Sequence, residues 1–222
     1  ADQANQAKSR YISTISHELR TPLNGILGYA QLLDEDAQLP EHVKHAVGVI
    51  KRGGDHLLSL IEGTLDIARI ESGKLSLDVK PVRLDELLQQ ITGLIEHEAR
   101  AKHLRFVADI EPHLPEAVRA DERRVRQILL NVLGNAVKFT TAGQVTFKVR
   151  YAREIALVEI SDTGPGIAQA ELDKVFEPFN RGQSAAGEHA SGGTGLGLTI
   201  AKMLTDLMGG EMTVRSTPGQ GT

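Results

Sequence analysis

Apolar residues recur every seven positions along the first third of the chain. Ile12, Leu19, Ile26 and Leu33 form one row, Ile15, Pro22 and Tyr29 a second, and Leu23 and Ala30 widen the stripe. Val43, Ile50 and Leu57, interleaved with Val47, Ile61 and Ala68, repeat the pattern. This period predicts two long helices with an apolar seam. Gln38-Leu39-Pro40-Glu41 separates them, and Pro40 suits a helix start. The pair reads as an antiparallel hairpin. Two helices bury little surface, so pairing with a second copy in a four-helix bundle is favoured over packing on the rest of the chain.

After Glu71-Ser72-Gly73-Lys74 the period changes. Leu75, Leu77 and Val79 alternate as a strand, followed by a helix over about 84–102. Strands are expected over 104–110 and 117–120, and a helix over 121–139. A β-hairpin is expected over 144–151 and 154–161, then a helix over about 195–208 and a strand over 211–216. Strands grouped with helices on one side predict an α/β sandwich. The expected domains are therefore a helical hairpin over 1–72 and an α/β sandwich over 73–222.

Composition narrows the function classes. The chain has 222 residues, 41% of them hydrophobic, with five Phe, three Tyr and no Trp. Such a core relies on aliphatic side chains. A net charge of -4 argues against a nucleic-acid binder, which needs a basic surface. The absence of Cys excludes disulfides and thiolate metal sites. No apolar run approaches the roughly 18–20 residues needed to span a bilayer.

Four places could carry chemistry. The first is Ser16-His17-Glu18-Leu19-Arg20-Thr21-Pro22-Leu23. With Leu19 on the seam, His17 faces outward and Thr21 follows one turn later. A neutral imidazole is a good nucleophile toward phosphorus, and Glu18 could accept its proton or fix its tautomer. Pro22 removes a backbone donor and predicts a bend. A lone helical His is more often simply solvated. The second place is Asn131, Asn135 and Lys138, on one helical face. Amide oxygens suit Mg²⁺ and lysine neutralises phosphate, although a solvated polar face explains the same spacing. The third, Asp162-Thr163-Gly164-Pro165-Gly166-Ile167, follows an apolar strand. Asp162 could accept from an adenine amine where the glycines let backbone approach, and a tight turn would equally account for them. The fourth, Gly192-Gly193-Thr194-Gly195-Leu196-Gly197-Leu198, opens a helix, where free N–H groups bind phosphate. It is neither a P-loop nor a dinucleotide fingerprint. Asn180 to Ser191, small and polar, reads as a lid. His42 and His45 share a helix, but no carboxylate or Cys cluster completes a metal site.

The four motifs occur together and in order, and in that combination the chain resembles the histidine kinase family over nearly its whole length. Residues 16–23 match the phosphoacceptor box and QILLNVLGNAVKFT over 127–140 the asparagine box. DTGPGI matches the first glycine box, Phe176-Glu-Pro-Phe179 the phenylalanine box and GGTGLGL the second glycine box. Ser216 to Thr222 matches the start of the last box, without the family's closing strand after its Gly-Thr pair. PLNGILGYAQLL looks most like the hybrid subgroup, which carries receiver domains.

The resemblance implies a dimeric phosphotransfer domain and an ATP-binding domain of the type shared with gyrase and Hsp90. It places phosphorylation on His17, assistance on Glu18, and a phosphatase-linked hydroxyl on Thr21. It gives Mg²⁺ to Asn135, with Asn131 nearby and Lys138 on phosphate. Adenine falls to Asp162 in a pocket shaped by Gly164 and Gly166. Gly193, Thr194, Gly195, Leu196 and Gly197 would cradle phosphates. ATP would phosphorylate His17, and the group would pass to an Asp of a response-regulator receiver domain, separate or fused. The alternative is a nucleotide-binding signalling scaffold without autokinase activity. The expected partners are a second copy and the receiver, with no nucleic acid. The expected location is the cytoplasm, with room for an inner-membrane anchor elsewhere in a longer protein.

Overall fold

The computed structural model describes residues 2–36, 39–180 and 193–222, with side chains except those of residues 2–14 and 17. Both heptad patterns are helices: α1 spans Asp2–Asp34, with Pro22 inside it, and α2 spans Glu41–Glu71. Part of the expected seam buries within the hairpin, and the Leu19 and Ile50 rows do not. Ser16, Leu23 and Ala30 of α1 are buried, as are Val47, Gly54, Ile61, Leu65 and Ala68 of α2. Leu19, Ile26, Leu33, Ile50 and Leu57 remain 45–54% exposed. The hairpin thus closes on Leu23 and Ala30 against Val47, Ile61 and Ala68, all within the expected stripe, and leaves the Leu19 and Ile50 rows facing out.

The chain divides after Ser76 into two compact units, with residues 193–196 grouped with the first. The strand expected over 75–79 does not form. The N–H groups of Lys74 and Leu75 both donate to the Arg69 carbonyl, closing α2, and the ladder begins later. β1 (Lys80–Val82) pairs antiparallel with β3 (Val118–Ala120).

Between these strands lie α3 (Leu84–Ala101) and β2 (Arg105–Ile110). α4 (Glu122–Phe139), β4 (Gln144–Ala152) and β5 (Ile155–Asp162) follow. The main sheet has the order β2-β4-β5, the first pair parallel and the second antiparallel. Val145, Phe147 and Val149 project from β4 at 0–1% exposure into a core with Leu87, Leu88, Ile91 and Ile95 of α3 and Leu129 and Leu133 of α4. The α/β sandwich expected from the alternating pattern is the observed one. Each fully buried Leu, Ile or Phe stabilises it by about 2 kcal/mol in transfer terms.

A short helix, α5 (Gln169–Leu172), and α6 (Gly197–Leu207) complete the unit. The strand expected over 211–216 is absent. Met212, Val214 and Ser216 alternate inward with exposed neighbours, yet no strand pairs with them; the bridge recorded there is Thr217 to Gly221. Alternation sets which side chains bury, but a strand requires a neighbouring backbone to bond. At the end of β5 the Asp162 N–H donates to the Thr222 carbonyl. Among the described residues no helix is long and apolar enough to cross a membrane.

Candidate nucleotide-binding site

α4 is pinned at both ends. Asp121 caps its start: Oδ1 accepts from the Arg124 N–H and Oδ2 from the Asp78 N–H, at 3.1 and 3.0 Å. At its end Lys102 Nζ donates to the Val137 and Lys138 carbonyls, both at 2.8 Å. A cation on otherwise orphaned carbonyls suits a helix C-terminus. The helix is therefore a rigid platform for its polar face.

That face holds Asn131, Asn135 and Lys138, all half-buried. Asn131 Nδ2 donates to the Gly197 carbonyl at 3.1 Å, fixing α4 against the first residue of α6. Gly197 Cα lies close enough that an added Cβ would meet the Asn131 side chain at 3.7 Å. Lys138 Nζ stands 4.9 Å from the Phe139 ring centroid, a cation–π arrangement. The Phe139 ring is 41% exposed.

The Asp162 loop meets the end of the same helix. Asp162 Oδ1 accepts from the Gly164 N–H at 2.7 Å. Burial raises the Asp162 carboxyl above its ordinary value, and the backbone groups of Gly164 and Thr222 pull it partly back. A Cβ on Gly164 would lie 2.8 Å from Asp162 Oδ1 and 3.4 Å from the Phe139 carbonyl, so a side chain there would displace the Asp162 carboxylate. Gly166 has φ +68, and a side chain there would collide with the Thr217 carbonyl. Ser216 Oγ accepts from the Ile167 N–H at 2.7 Å and donates to the Gly221 carbonyl at 2.8 Å. The first glycine loop is thereby tied to the chain's last residues.

The second glycine stretch has its own local order. Gly195 has φ +70, Thr194 Oγ1 accepts from the Leu196 N–H at 3.2 Å, and Leu196 is 1% exposed. Gly193 precedes this turn. The lid expected over Asn180 to Ser191 lies, but for Asn180, outside the described residues.

In the first unit, His17 lies within α1; its side chain is outside the described ones. Glu18 and Thr21 are exposed, and Arg20 pairs with Glu62 across the hairpin at 3.5 Å. Among the described residues no cluster of three or more His, Cys, Asp or Glu could hold a metal.

Phe139 and Thr140 fall outside the spacing of Asn131, Asn135 and Lys138. Both directly follow Lys138, and an apolar residue then a hydroxyl at a helix end gave no periodic signal. Ser216 stood in the last motif, but its bonds were hidden. Its partners, Ile167 and Gly221, are both loop residues.

Two family models match the chain. The His Kinase A phospho-acceptor domain covers residues 7–73. The histidine kinase-, DNA gyrase B- and HSP90-like ATPase covers residues 120–222. The chain belongs to the sensor histidine kinases. Among such kinases it is 38% identical over 225 residues to the sensor protein GacS of Pseudomonas syringae pv. syringae, covering 99% of this chain and 25% of GacS. It is 39% identical over 222 residues to the aerobic respiration control sensor ArcB of Escherichia coli, covering all of this chain and 28% of ArcB. The chain thus spans about a quarter of these curated relatives. The crystal structure of full-length ShkA in complex with AMPPNP superimposes with a TM-score of 0.77 at 38% identity, over 96% of this chain and 44% of that one. The helical hairpin and the α/β sandwich are accordingly the phosphoacceptor and ATPase parts of a histidine kinase core.

Proposed function

We propose that the chain binds ATP in its second domain, phosphorylates His17, and passes the phosphoryl group to an Asp of a response-regulator receiver. The observation that carries this is the meeting of three motifs around α4. The Asn131 bond to Gly197 and the approach of Gly164 to the Phe139 carbonyl join the asparagine face, the Asp162 loop and the start of α6. The ShkA complex with a nucleotide analogue supports the same use of the fold. The domain division proposed is 1–72 and 73–222.

In the proposed reaction the unprotonated His17 nitrogen attacks the γ-phosphorus in line. A P–N bond forms, the bond to the ADP oxygen breaks, and ADP leaves. Glu18 takes up the imidazole proton or holds the tautomer. Asp162 accepts from the exocyclic amine of adenine, while Gly164 and Gly166 keep the wall of that pocket open. Lys138 leaves the Phe139 ring for the phosphates and offsets developing charge. Gly193, Thr194, Gly195, Leu196 and Gly197 present N–H groups to phosphate oxygens.

Mg²⁺ fits this donor set. With no acidic cluster among the described residues, a site made wholly of protein ligands is disfavoured. Mg²⁺ commonly takes one or two protein oxygens, with phosphates and waters completing its shell. Asn135 would supply the amide oxygen, with Asn131 nearby, and the ion would supply charge neutralisation.

The exposed row Leu19, Ile26, Leu33, Ile50 and Leu57 supports a homodimer through a four-helix bundle. The receiver, separate or fused as in the hybrid subgroup, is the proposed second partner. The proposed location is the cytoplasm. Incubation with γ-labelled ATP tests the whole proposal. Wild type should acquire acid-labile label and His17→Gln none, at nearly unchanged ATP affinity. Label persisting on the variant would move the acceptor elsewhere.

A further inference from the structure

Thr140 ends α4 and is fully buried, at 0% exposure. Its N–H donates to the Ala136 carbonyl, but its hydroxyl has no hydrogen-bond partner among the described residues. Buried hydroxyls nearly always find partners, and an exception calls for an explanation. The hydroxyl oxygen stands beside Gly164. Thr140 Oγ1 lies 3.3 Å, and Asp162 Oδ1 2.8 Å, from the same point, where a Cβ on Gly164 would stand. The two oxygens flank the bare face of Gly164 from different elements, the C-cap of α4 and the last residue of β5. The hydroxyl is too enclosed for a ligand to touch it directly.

We infer that Thr140 is a positioning residue for base recognition: its hydroxyl donates to the Asp162 carboxylate when a 6-aminopurine nucleotide draws the Gly164 loop onto α4. This rests on the proposed role of Asp162 as acceptor of the exocyclic amine. A partly buried carboxylate that accepts from a ligand amine needs further donors to stay charged and fixed in one rotamer. The Gly164 N–H supplies one, and the Thr140 hydroxyl is an unspent donor beside Gly164. Because Thr140 ends the helix that carries Asn131, Asn135 and Lys138, the bond also links base recognition to the phosphate-facing side of α4. Serine would preserve the link; valine, of the same shape, would remove it.

Calorimetric titration of the protein tests this with two ligands in the presence of Mg²⁺. One is ATP; the other is purine riboside triphosphate, which lacks the 6-amino group. Wild type should prefer ATP. Thr140→Val should lose about tenfold in ATP affinity, the scale of one hydrogen bond to a charged group, and less than twofold for the analogue. Thr140→Ser should restore the ATP preference. Thr140→Ala serves in place of valine if the latter does not fold, as judged by thermal unfolding. Equal losses on both ligands would make Thr140 merely structural and overturn the inference, as would no loss on ATP. Asp162→Asn separates the two claims. If wild type and Asp162→Asn bind ATP and the analogue alike, the reading of Asp162 fails and takes the inference with it. If Asp162→Asn erases the preference while Thr140→Val leaves it intact, only the inference fails.

Discussion

Gly54 of α2 faces Leu27 of α1 so closely that a Cβ on the glycine would lie 2.6 Å from Leu27 Cδ2 and 3.0 Å from its Cγ. The neighbouring Gly53 meets nothing within 4 Å. Two adjacent glycines in one helix therefore have different physical reasons. Gly54 lets the helices of the hairpin approach, whereas Gly53 carries the propensity cost of glycine with no packing need. Gly53→Ala should stabilise the protein by about 0.5–1 kcal/mol. Gly54→Ala gains the same propensity but overpacks Leu27, and should be destabilising by about 1 kcal/mol net. Urea denaturation of both variants checks the sign; equal effects would show that Leu27 moves aside freely.

Asp162 predicts a conflict between stability and binding. Its carboxyl is raised in the folded protein, chiefly by burial, so the folded state holds the proton more tightly than the unfolded chain. For an acid this means stability falls as pH rises through the interval between the ordinary carboxylate value and the raised one. Asp162→Asn removes that loss and keeps an oxygen for the Gly164 N–H. It should be at least as stable as wild type at neutral pH, with a flatter stability profile just above pH 3.8. Its ATP affinity should drop. Thermal unfolding across pH, paired with calorimetry, reads both effects, and a variant less stable at neutral pH would contradict the first.

Asn135 and Asn131 should fail in different ways. Asn135→Ala should lose the Mg²⁺ dependence of ATP binding with little change in folding. Asn131→Ala also breaks the bond to the Gly197 carbonyl, so about 1 kcal/mol of stability should go with it. ATP titrations with and without Mg²⁺, alongside unfolding curves, distinguish the two. Wild-type Mg²⁺ dependence in Asn135→Ala would place the ion elsewhere.

The β4–β5 hairpin turns through Arg153 and Glu154, both at positive φ, 52° and 65°. This is the geometry that Asn-Gly adopts with least strain. Replacing the pair by Asn-Gly should raise stability by about 1 kcal/mol, read as an increase in Tm with unchanged ATP affinity. An unchanged or lower Tm would mean that the turn carries no strain.

Thr21 should separate two activities. It lies one turn beyond His17, exposed on α1, where a hydroxyl could orient water toward a docked phospho-Asp. Thr21→Ala should leave autophosphorylation intact and slow decay of a phosphorylated partner receiver. Its folding cost should stay within about 0.5 kcal/mol. Equal acceleration of the decay by wild type and variant would remove the role.

The helices and their faces were legible because periodicity is a local property. Leu19, Ile26 and Leu33 announced α1, and Val145, Phe147 and Val149 announced β4, since side-chain spacing alone sets which residues share a face. The motif residues of α4 were legible for the same reason: Asn131, Asn135 and Lys138 must line up on any helix. Which rows meet was a different matter. The Leu19, Ile26 and Leu33 row looked like the centre of the hairpin's seam, but the hairpin closes on the flank of that stripe, at Ser16, Leu23 and Ala30. Strand pairing was equally hidden. Leu75 to Val79 and Glu211 to Ser216 alternate as well as β4 does, yet neither is a strand, because a ladder needs a second backbone that no local pattern names. The bonds that join Asn131 to Gly197 and Ile167 to Ser216 span distant stretches of chain. So does the approach of Thr140 to Gly164. Local chemistry determined which residues could act; long-range packing of α4 against α6 and the Asp162 loop decided which of them stand together.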